Sequence, residues 1–390
     1  MRKIELMAPV GSFPSLHAAI KSGADAVYLG LKEFNMRDSA KNFTVKELDK
    51  INSICKENKV KLYLTLNTII YDNEIKKIEE IIKKVKNKVD AVICWDISVI
   101  NLCIKHKIPF HVSTQASVSN TETAKFYKKL GAERINLARE LNLKDIKKIS
   151  KIIKVEIFGH GAMCVSISGR CFTSQFLQNR SANRGQCTHP CRRAYKIIDP
   201  DGYELKLDNN RVMSAKDLCV LPFIEQIKKS GISALKIEGR NRSPEYVAVV
   251  TSVYRKALDK KMTEEDIEES MKKLKKVYNR GFSSGFYLGF PTNGDFTKSD
   301  SGEAKEKKLI IGRIENYWKK IGVAHVKIHA IGLKIGDEIY IKGNTTGLIR
   351  VRIKSMEINN KKVEKAGKGD VGIKLPLCRK GDEVYLIVKK

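Results

Sequence analysis

The sequence has no apolar run long enough to cross a bilayer. Its most apolar window, AVICWDISVINLCI at 91–104, carries Asp96 and is shorter than a membrane-spanning helix requires. The opening stretch, MRKIELMAPVGS, has two basic residues but no long apolar stretch after them, so it does not read as a secretory signal. We therefore expect a soluble, cytoplasmic protein without a membrane span.

Two familiar catalytic signatures are also missing. The sequence contains no HExxH motif, which excludes a metalloprotease of that type, and no Walker A phosphate-binding loop. It also lacks Gly/Ser linkers and low-complexity tracts. With 390 residues, of which 42% are hydrophobic and 30% charged, the chain can form one large folded domain and a smaller one.

Acidic residues are absent from one long stretch of the chain. No Asp or Glu occurs between Glu156 and Asp199, although 44 of the 390 residues are acidic. The same stretch gathers cysteines with the spacing C-x6-C-x15-C-x3-C, together with several arginines. The cysteines are Cys164, Cys171, Cys187 and Cys191, and the arginines are Arg170, Arg180, Arg184, Arg192 and Arg193.

Clustered cysteines in a cytoplasmic chain predict a metal site rather than disulfides. Thiolates bind both zinc and iron–sulfur clusters, and spacing alone does not separate the two. The first gap is longer than the roughly two to four residues of common zinc knuckles, which favours an iron–sulfur cluster. The alternative is a chance grouping of cysteines on a solvated basic loop. The five scattered cysteines are expected to be small buried hydrophobic residues.

The formal net charge is +30, and the acid-free stretch is rich in Arg whereas the rest of the chain prefers Lys. Arg presents a rigid, permanently charged fork of donors to carboxylate or phosphate groups. A polyanionic partner, with RNA the first choice, is one explanation of the net charge. The other is a set of solvated Lys-rich helix faces, such as KKVKNK at 83–88. Charge alone does not decide between these two explanations.

Short β-rich runs alternate with helical patterns over the first 260 residues. Most runs are apolar throughout, as parallel strands buried on both faces are. Eight such runs with helical crossovers predict an α/β fold of the (β/α)8, TIM-like barrel type, with a doubly wound sheet as the alternative. The runs are IELMAP (4–9), AVYLG (26–30), KLYLTLN (61–67), AVICW (91–95), FHVST (110–114), RINLA (134–138), VEIFG (155–159) and ALKIEG (234–239).

The chain is predicted to divide into three parts. Residues 1–260 form the barrel, and the cysteine-rich insertion at 160–215 follows its seventh strand, on the face where barrel enzymes place their active sites. Residues 261–305 form a helix and a linker. Residues 306–390 alternate short strands with Gly turns and predict a small β-barrel that resembles the second domain of translation factors.

Several stretches resemble a known family, the peptidase U32 family of collagenase-like proteases. EIFGHGAMCVSISGRC (156–171) followed by SANRGQCTHPCRR (181–193) is similar to the family's cysteine signature. RGFSSGFYLG (280–289) resembles a second family stretch. ELMAPVGSFPSLHAAIKSGADAVYLG (5–30) is similar to its first strand, helix and strand. The resemblance covers essentially the whole chain. Only part of the family shares the C-terminal β domain.

The resemblance implies two competing activities. The family name implies peptide hydrolysis, although the family has no agreed catalytic machinery. Similar proteins are oxygen-independent hydroxylases that act on a tRNA wobble uridine, an rRNA cytidine or ubiquinone precursors, with prephenate as the oxygen source for some. They carry a [4Fe–4S] cluster, which the resemblance assigns here to the four clustered cysteines, with Cys219 in reserve. Some relatives require a second subunit, which leaves a homo- or hetero-oligomer open.

Polar residues at the ends of the predicted strands complete the candidate site. Glu238 and Arg240, in LKIEGR, are a candidate general acid/base and an anion clamp. His160 follows the seventh strand and is a second catalytic candidate, and Arg139 follows the sixth. The alternative for the first two is a salt-bridged barrel rim. The remaining predicted anion-binding residues are Arg170, Arg184, Arg192 and Arg193.

Overall fold

The computed structural model describes residues 3–38, 40–299 and 302–389. Its first part is a run of parallel strands, each paired with the next along the chain. These short strands are buried on nearly every residue, which explains their continuous apolar sequences. They are β1 (Glu5–Pro9), β2 (Ala26–Gly30), β3 (Lys61–Thr65), β4 (Ala91–Cys94), β5 (Phe110–Val112), β6 (Arg134–Asn136) and β7 (Lys154–Ala162).

The chain then leaves the barrel before closing it. The excursion contains β8 (Ile197–Ile198), β9 (Glu204–Leu205) and β10 (Asp217–Cys219), of which β10 runs antiparallel to β7. The next strand, β11 (Ala234–Ile237), pairs in parallel with both β7 and β1 and closes an eight-stranded barrel. All eight predicted barrel strands are thus confirmed, and the doubly wound alternative is wrong.

Helices follow most of the barrel strands and cover the outside of the barrel. They are α1 (Phe13–Lys21), α2 (Leu48–Glu57), α3 (Ile75–Val85), α4 (Ile97–Lys105), α5 (Thr121–Lys129), α6 (Leu143–Ile149), α8 (Ile224–Lys228), α9 (Pro244–Asp259) and α10 (Glu264–Leu274), whereas α7 (Thr173–Gln178) lies in the cysteine-rich excursion. In α3, Ile78, Ile81, Ile82 and Val85 are buried at helical spacing and face the sheet. No helix within the described ranges combines the length and apolarity that crossing a membrane requires.

The barrel interior carries a buried ionic network. Lys236 Nζ lies 2.9 Å from Glu156 Oε1, and Arg134 bridges Glu156 and Glu5 at 3.5 and 2.6 Å. Lys236, Glu156 and Arg134 are each less than a tenth exposed. Buried charges of this kind persist only when paired, so these residues fix one another's positions inside the barrel.

The cysteine-rich excursion rests on an extension of the barrel sheet. At nine residues, β7 is longer than its neighbours and carries the chain beyond the barrel rim to Cys164. There β10 pairs with β7, and the short β12 (Phe282–Ser283) pairs in parallel with β10. The helix predicted within residues 261–305 is observed as α10, which begins at Glu264 and ends at Leu274.

The C-terminal residues form an antiparallel sheet domain with its own apolar core, as the fold prediction expected. Its first strand begins at Glu306, because residues 306–309 pair with the last strand. The strands are β13 (Glu306–Trp318), β14 (Val323–Ile328), β15 (Leu333–Lys334), β16 (Glu338–Gly343), β17 (Gly347–Arg352), β18 (Met356–Ile358), β19 (Lys361–Val363), β20 (Lys365–Ala366), β21 (Gly369–Lys374) and β22 (Glu383–Lys389).

This domain contacts the barrel through α1 and α9. The Lys21 ammonium donates a hydrogen bond of 3.1 Å to the carbonyl oxygen of Thr346. Lys308 forms an ion pair of 2.6 Å with Glu245, in the first turn of α9. The C-terminal domain therefore lies beside the chain segments that carry the ends of β1 and β11.

Candidate functional site

A cavity of about 220 Å³ lies at the carboxyl ends of the barrel strands, beneath the cysteine-rich excursion. We call it the inner cavity. It is formed by side chains from several strand ends on one side and by the excursion on the other, so only the folded chain assembles it. Its charged and thiol lining consists of Arg37, Arg139, Cys164, Cys171, Cys187, His189, Cys191, Arg192, Lys236, Glu238, Arg240, Arg242 and Arg280.

All four clustered cysteines line the inner cavity as free thiols. Cys164 directly follows β7, Cys171 precedes α7, and Cys187 and Cys191 flank a turn that includes His189. The structure thus brings together four residues that span 28 positions of sequence. The first gap in the cysteine pattern is bridged by a turn and the second by α7.

Hydroxyl groups lie next to three of the four sulfur atoms. Ser166 Oγ is 3.0 Å from Cys164 Sγ, Thr173 Oγ1 is 3.1 Å from Cys171 Sγ, and Ser174 Oγ is 4.0 Å from Cys187 Sγ. The Thr173 amide also donates to Cys171 Sγ at 3.4 Å. Hydrogen bonds to sulfur stabilise thiolates and tune the potentials of iron–sulfur clusters.

The pKa of Cys191 responds to burial and to the charges around it. Burial raises the pKa of Cys191, Arg192 lowers it, and the other three clustered cysteines raise it further. By donor chemistry, four neighbouring thiols fit a thiolate-bound zinc or iron–sulfur group. Within the described residues, no three His, Cys, Asp or Glu side chains stand at ligating positions for a metal ion.

Cys219, the reserve ligand, lies elsewhere. It is on β10, 2% exposed, with its sulfur 3.5 Å from the Tyr254 hydroxyl and 3.8 Å from the Met271 sulfur. Burial raises its pKa to about 11. It does not line the inner cavity, so the structure groups the other four cysteines without it.

Glu238 is the one carboxylate among the described residues that line the inner cavity. Its Oε1 lies 3.1 Å from Nη2 of Arg37. Burial raises the pKa of Glu238, but Arg37, Arg139 and Arg242 outweigh burial and hold that pKa below the ordinary value of a glutamate. Glu238 is therefore a carboxylate at neutral pH, suited to accept a proton rather than to donate one.

The glycine of the HGA sequence at 160–162 allows the carboxyl ends of β7 and β11 to approach each other. Gly161 has φ +109°, in a region that favours glycine, and a Cβ there would lie 2.6 Å from the carbonyl oxygen of Glu238. The same carbonyl oxygen accepts a hydrogen bond of 2.9 Å from the Tyr246 hydroxyl. These contacts fix the backbone that presents the Glu238 carboxylate.

A search among known proteins identifies the family. The family model described as peptidase family U32 matches residues 11–296, which is more than half of the chain. This chain belongs to peptidase family U32. An uncharacterized protease of Methanocaldococcus jannaschii is 44% identical over 99% of both chains. The collagenase of Porphyromonas gingivalis is 39% identical, covering 99% of this chain and 98% of its own.

A further U32 relative carries a different name. The tRNA hydroxylation protein P1 of Bacillus subtilis is 37% identical, over 66% of this chain and 64% of its own length. Relatives named for proteolysis therefore match nearly the whole chain, whereas the relative named for tRNA hydroxylation matches two thirds of it. These findings establish the family, and the relatives' names indicate an enzyme.

Only three of the predicted anion-binding arginines of this U32 chain line the inner cavity. Arg139 packs on the Phe158 ring at 3.8 Å and donates to the Ala162 carbonyl oxygen at 2.8 Å. Arg240 donates to Thr65 Oγ1 at 3.1 Å, and burial lowers its pKa to about 10. The third is Arg192.

The other three predicted arginines lie outside that lining. Arg184 pairs with Glu74 and packs over the Tyr71 ring, so it fastens the excursion to the segment after β3. Arg170 is exposed and donates to Ser117 Oγ at 3.2 Å. Arg193 is exposed. Their positions do not support the predicted role in the cavity.

His160 is also outside the lining of the inner cavity. It is 1% exposed, has the rings of Tyr246, Tyr254 and Phe282 within 6.0 Å, and lies 3.3 Å from the Tyr254 hydroxyl through Nδ1. Burial, helped by the charge of Arg242, lowers its pKa to about 3. This position does not support the predicted catalytic role, because a buried neutral ring away from the cavity contacts no substrate there.

Sequence reasoning missed four cations that line the inner cavity, namely Arg37, Lys236, Arg242 and Arg280. Lys236 could have been identified from the sequence, because it is the one charged residue in the apolar run ALKI of β11. Arg242 could have been found by extending the strand-end reasoning two residues beyond Arg240. Arg37 and Arg280 lie in loops distant in sequence from the cysteines, and folding alone places them here.

The U32 chain contains two sequence patterns that resemble protease motifs. His189 lines the inner cavity beside the cysteines, and burial with neighbouring arginines lowers its pKa to about 4. No hydrogen bond joins any cysteine to a histidine within the described ranges. Residues 281–285, GFSSG, have the spacing of a serine-hydrolase elbow. The Ser283 hydroxyl instead accepts a hydrogen bond of 3.0 Å from the Gly285 amide, in a two-residue strand.

Proposed function

We propose that this protein is an iron–sulfur dependent, oxygen-independent hydroxylase of an RNA base in tRNA or rRNA. In this proposal Cys164, Cys171, Cys187 and Cys191 hold a [4Fe–4S] cluster. The carrying observation is that one cavity combines these four thiols with six arginines, a lysine and the Glu238 carboxylate. Four thiols exceed what a nucleophile requires, and the cations suit an anionic substrate or donor.

The reaction has a definite balance. Replacing hydrogen by hydroxyl at a base carbon is a two-electron oxidation of the base, so a donor must give up its oxygen and be reduced. With a hydroxylated donor the balance is base–H plus R–OH giving base–OH plus R–H. Prephenate is our candidate donor, because its two carboxylates match the arginines of the cavity. When bound, the cluster would supply one-electron transfer or a site for the oxygen donor.

The side chains of the cavity have separate tasks in this proposal. Arg240 and Arg139 would bind the carboxylates of the donor, since both guanidinium groups line the cavity. Glu238 would accept the proton lost from the base, since its pKa lies below the ordinary value. Arg37 would hold the Glu238 carboxylate in place through their ion pair.

A peptidase is the second candidate, and one specific observation favours it. Relatives matched over 98% or more of their own length are named protease or collagenase, whereas the tRNA hydroxylation protein is matched over 64% of its own length. A thiol peptidase needs one activated cysteine with a histidine in reach. His189 lines the cavity together with the cysteines. The lining also contains three further thiols and six arginines, which peptide hydrolysis does not require.

The deciding experiment begins with strictly anaerobic purification of the wild type and of the Cys164→Ser and Cys187→Ser variants. We expect about four irons and four sulfides per chain in the wild type and loss of both in the variants. Nucleosides from tRNA and rRNA incubated with the protein and prephenate are then analysed for hydroxylated bases. Zinc or no metal in the wild type would overturn the hydroxylase. Gelatin cleavage that is lost in one cysteine variant only would support the peptidase.

A further inference from the structure

A second and larger cavity, of about 980 Å³, lies between the barrel and the C-terminal domain. We call it the interdomain groove. Nine cationic residues line it against three acidic ones. The barrel contributes residues 11–15, the segments after β2 and the segment 240–244, and the C-terminal domain contributes strand and loop residues of 308–383.

Four of the groove's cations come from the barrel. Lys32 and Lys41 are exposed on the segment between β2 and α2, and neither makes an ion pair with any other described residue. Arg240 and Arg242 follow β11. Arg242 packs over the Tyr278 ring at 3.8 Å, and no carboxylate within the described ranges neutralises it by an ion pair.

The other five cations come from the C-terminal domain. Lys308 and Lys342 are neutralised by ion pairs of 2.6 Å with Glu245 and Glu383. Arg313, Arg379 and Lys380 are exposed, and the described part of the chain offers none of them an ion pair. The groove therefore has unpaired positive charge on both of its walls.

Two helix N-termini add to this positive potential. Ser12, the N-cap of α1, and Ser243, the N-cap of α9, both line the groove. Backbone N–H groups at such ends favour phosphate and other anions. They reinforce the unpaired cations and do not define the site by themselves.

The interdomain groove and the inner cavity share a segment of chain in their linings. Residues 240–242 line both. The inner cavity, at about 220 Å³, is below the roughly 300–1,000 Å³ of pockets for drug-sized ligands, whereas the groove lies at the upper end of that range. One small unit of a chain-like ligand fits the inner cavity while its neighbours occupy the groove.

We propose that the interdomain groove binds the sugar-phosphate backbone of the RNA substrate and that the C-terminal domain is thereby an RNA-docking module. This inference rests on the proposed function, which supplies the RNA. A single anion would be bound by one cluster of donors. Unpaired cations on two walls are better suited to a run of several phosphates. The backbone in the groove then leads one extruded base past Arg240 and Arg242 into the inner cavity.

The test measures binding of unmodified tRNA transcripts to the full-length protein at several salt concentrations. The variant Arg313→Gln/Lys380→Gln removes two groove cations, and Lys128→Gln/Lys129→Gln removes two exposed lysines of α5 that are outside the groove. Each neutralised phosphate contributes roughly 0.7 to 0.9 to the slope of log K against log salt. We expect the first variant to bind more weakly, with a slope shallower by about 1.5, and the second to match the wild type.

The outcomes separate this inference from the proposed function. Equal slopes for the wild type and both variants overturn the groove, even if the protein hydroxylates RNA. If tRNA does not bind, the titration is repeated with rRNA fragments, and a wild type that binds neither RNA overturns both proposals. The protein could also show the expected loss of slope and bind a cluster, yet form no hydroxylated nucleoside. That result would support RNA binding in the groove and contradict the proposed hydroxylase function. If the first variant does not fold, Lys32→Gln/Lys41→Gln removes the same charge from the barrel wall.

Discussion

Arg37 and Glu238 form an ion pair inside the inner cavity, with Nη2 of Arg37 3.1 Å from Oε1 of Glu238. The two residues are 201 positions apart in sequence. Arg37 follows β2 and Glu238 follows β11, so only closure of the barrel brings them together. The pair fixes the single carboxylate of the cavity's described lining in its ionised form.

Glu238→Gln should abolish most of the proposed hydroxylation activity. The amide keeps the size of the side chain but accepts no proton, and it leaves Arg37 without its ion-pair partner. General base catalysis contributes roughly 100-fold or more, so we expect kcat to fall by at least about 100-fold. Single-turnover analysis of modified nucleosides measures this fall. Glu57→Gln, at an exposed position of α2, is the control, and equal rates for both variants would exclude the proton-transfer role.

Arg37→Gln should move the pH dependence of the reaction. Burial raises the pKa of Glu238, and Arg37 is foremost among the three arginines that lower it below the ordinary value of 4.5. Without Arg37 the pKa rises, so the carboxylate is protonated at a higher pH. We expect the acidic limb of the kcat/KM profile to shift upward relative to the wild type. An unchanged acidic limb would mean that Glu238 is not the group that titrates.

Cys219→Ala should keep the iron that Cys187→Ser loses. Cys219 is buried on β10 against Tyr254, away from the cavity that the four clustered thiols line. We expect the alanine variant to retain the full iron and sulfide content after anaerobic purification. Its free energy of unfolding should fall by about 1 kcal/mol, because the substitution leaves a small cavity. Loss of iron in this variant would assign Cys219 as a ligand.

His160→Gln should change the acid stability of the protein. In the folded state burial lowers the pKa of His160 to about 3, from 6.5. Below pH 6.5 the unfolded chain binds a proton there and the folded chain does not, so stability falls as the pH drops from 6.5 towards about 3. One such group contributes roughly 1.4 kcal/mol per pH unit. Urea unfolding at several pH values should show a shallower decline for the variant, and an unchanged slope contradicts the assignment.

Glu156→Gln should destabilise the barrel. Glu156 is 1% exposed and neutralises Lys236 at 2.9 Å and Arg134 at 3.5 Å. Removing one partner of a buried pair leaves an uncompensated charge, which costs roughly 3 to 5 kcal/mol. Chemical denaturation measures this loss. Glu122→Gln, which breaks an exposed ion pair with Lys125, is the matched control and should cost less than about 1 kcal/mol.

Local sequence patterns were sufficient to predict the barrel strands, their order and the grouping of the cysteines. Apolar runs such as AVYLG and AVICW must be buried on both faces, so their number and the helices between them predict a closed parallel barrel. The four clustered cysteines lie within 28 positions of one another: Cys164, Cys171, Cys187 and Cys191. Residues so close in sequence can come together in the fold without contacts to distant parts of the chain.

Local patterns could not predict which polar residues line the inner cavity, because the folded barrel sets their positions. His160 and Arg184 are as prominent in the sequence as Glu238, yet β7 directs His160 into an aromatic core and Glu74 holds Arg184 at the outer edge. Arg37 and Arg280 reach the inner cavity from loops far away in sequence. Such contacts depend on strand register and loop path, which are set by the packing of the whole barrel rather than by local pattern.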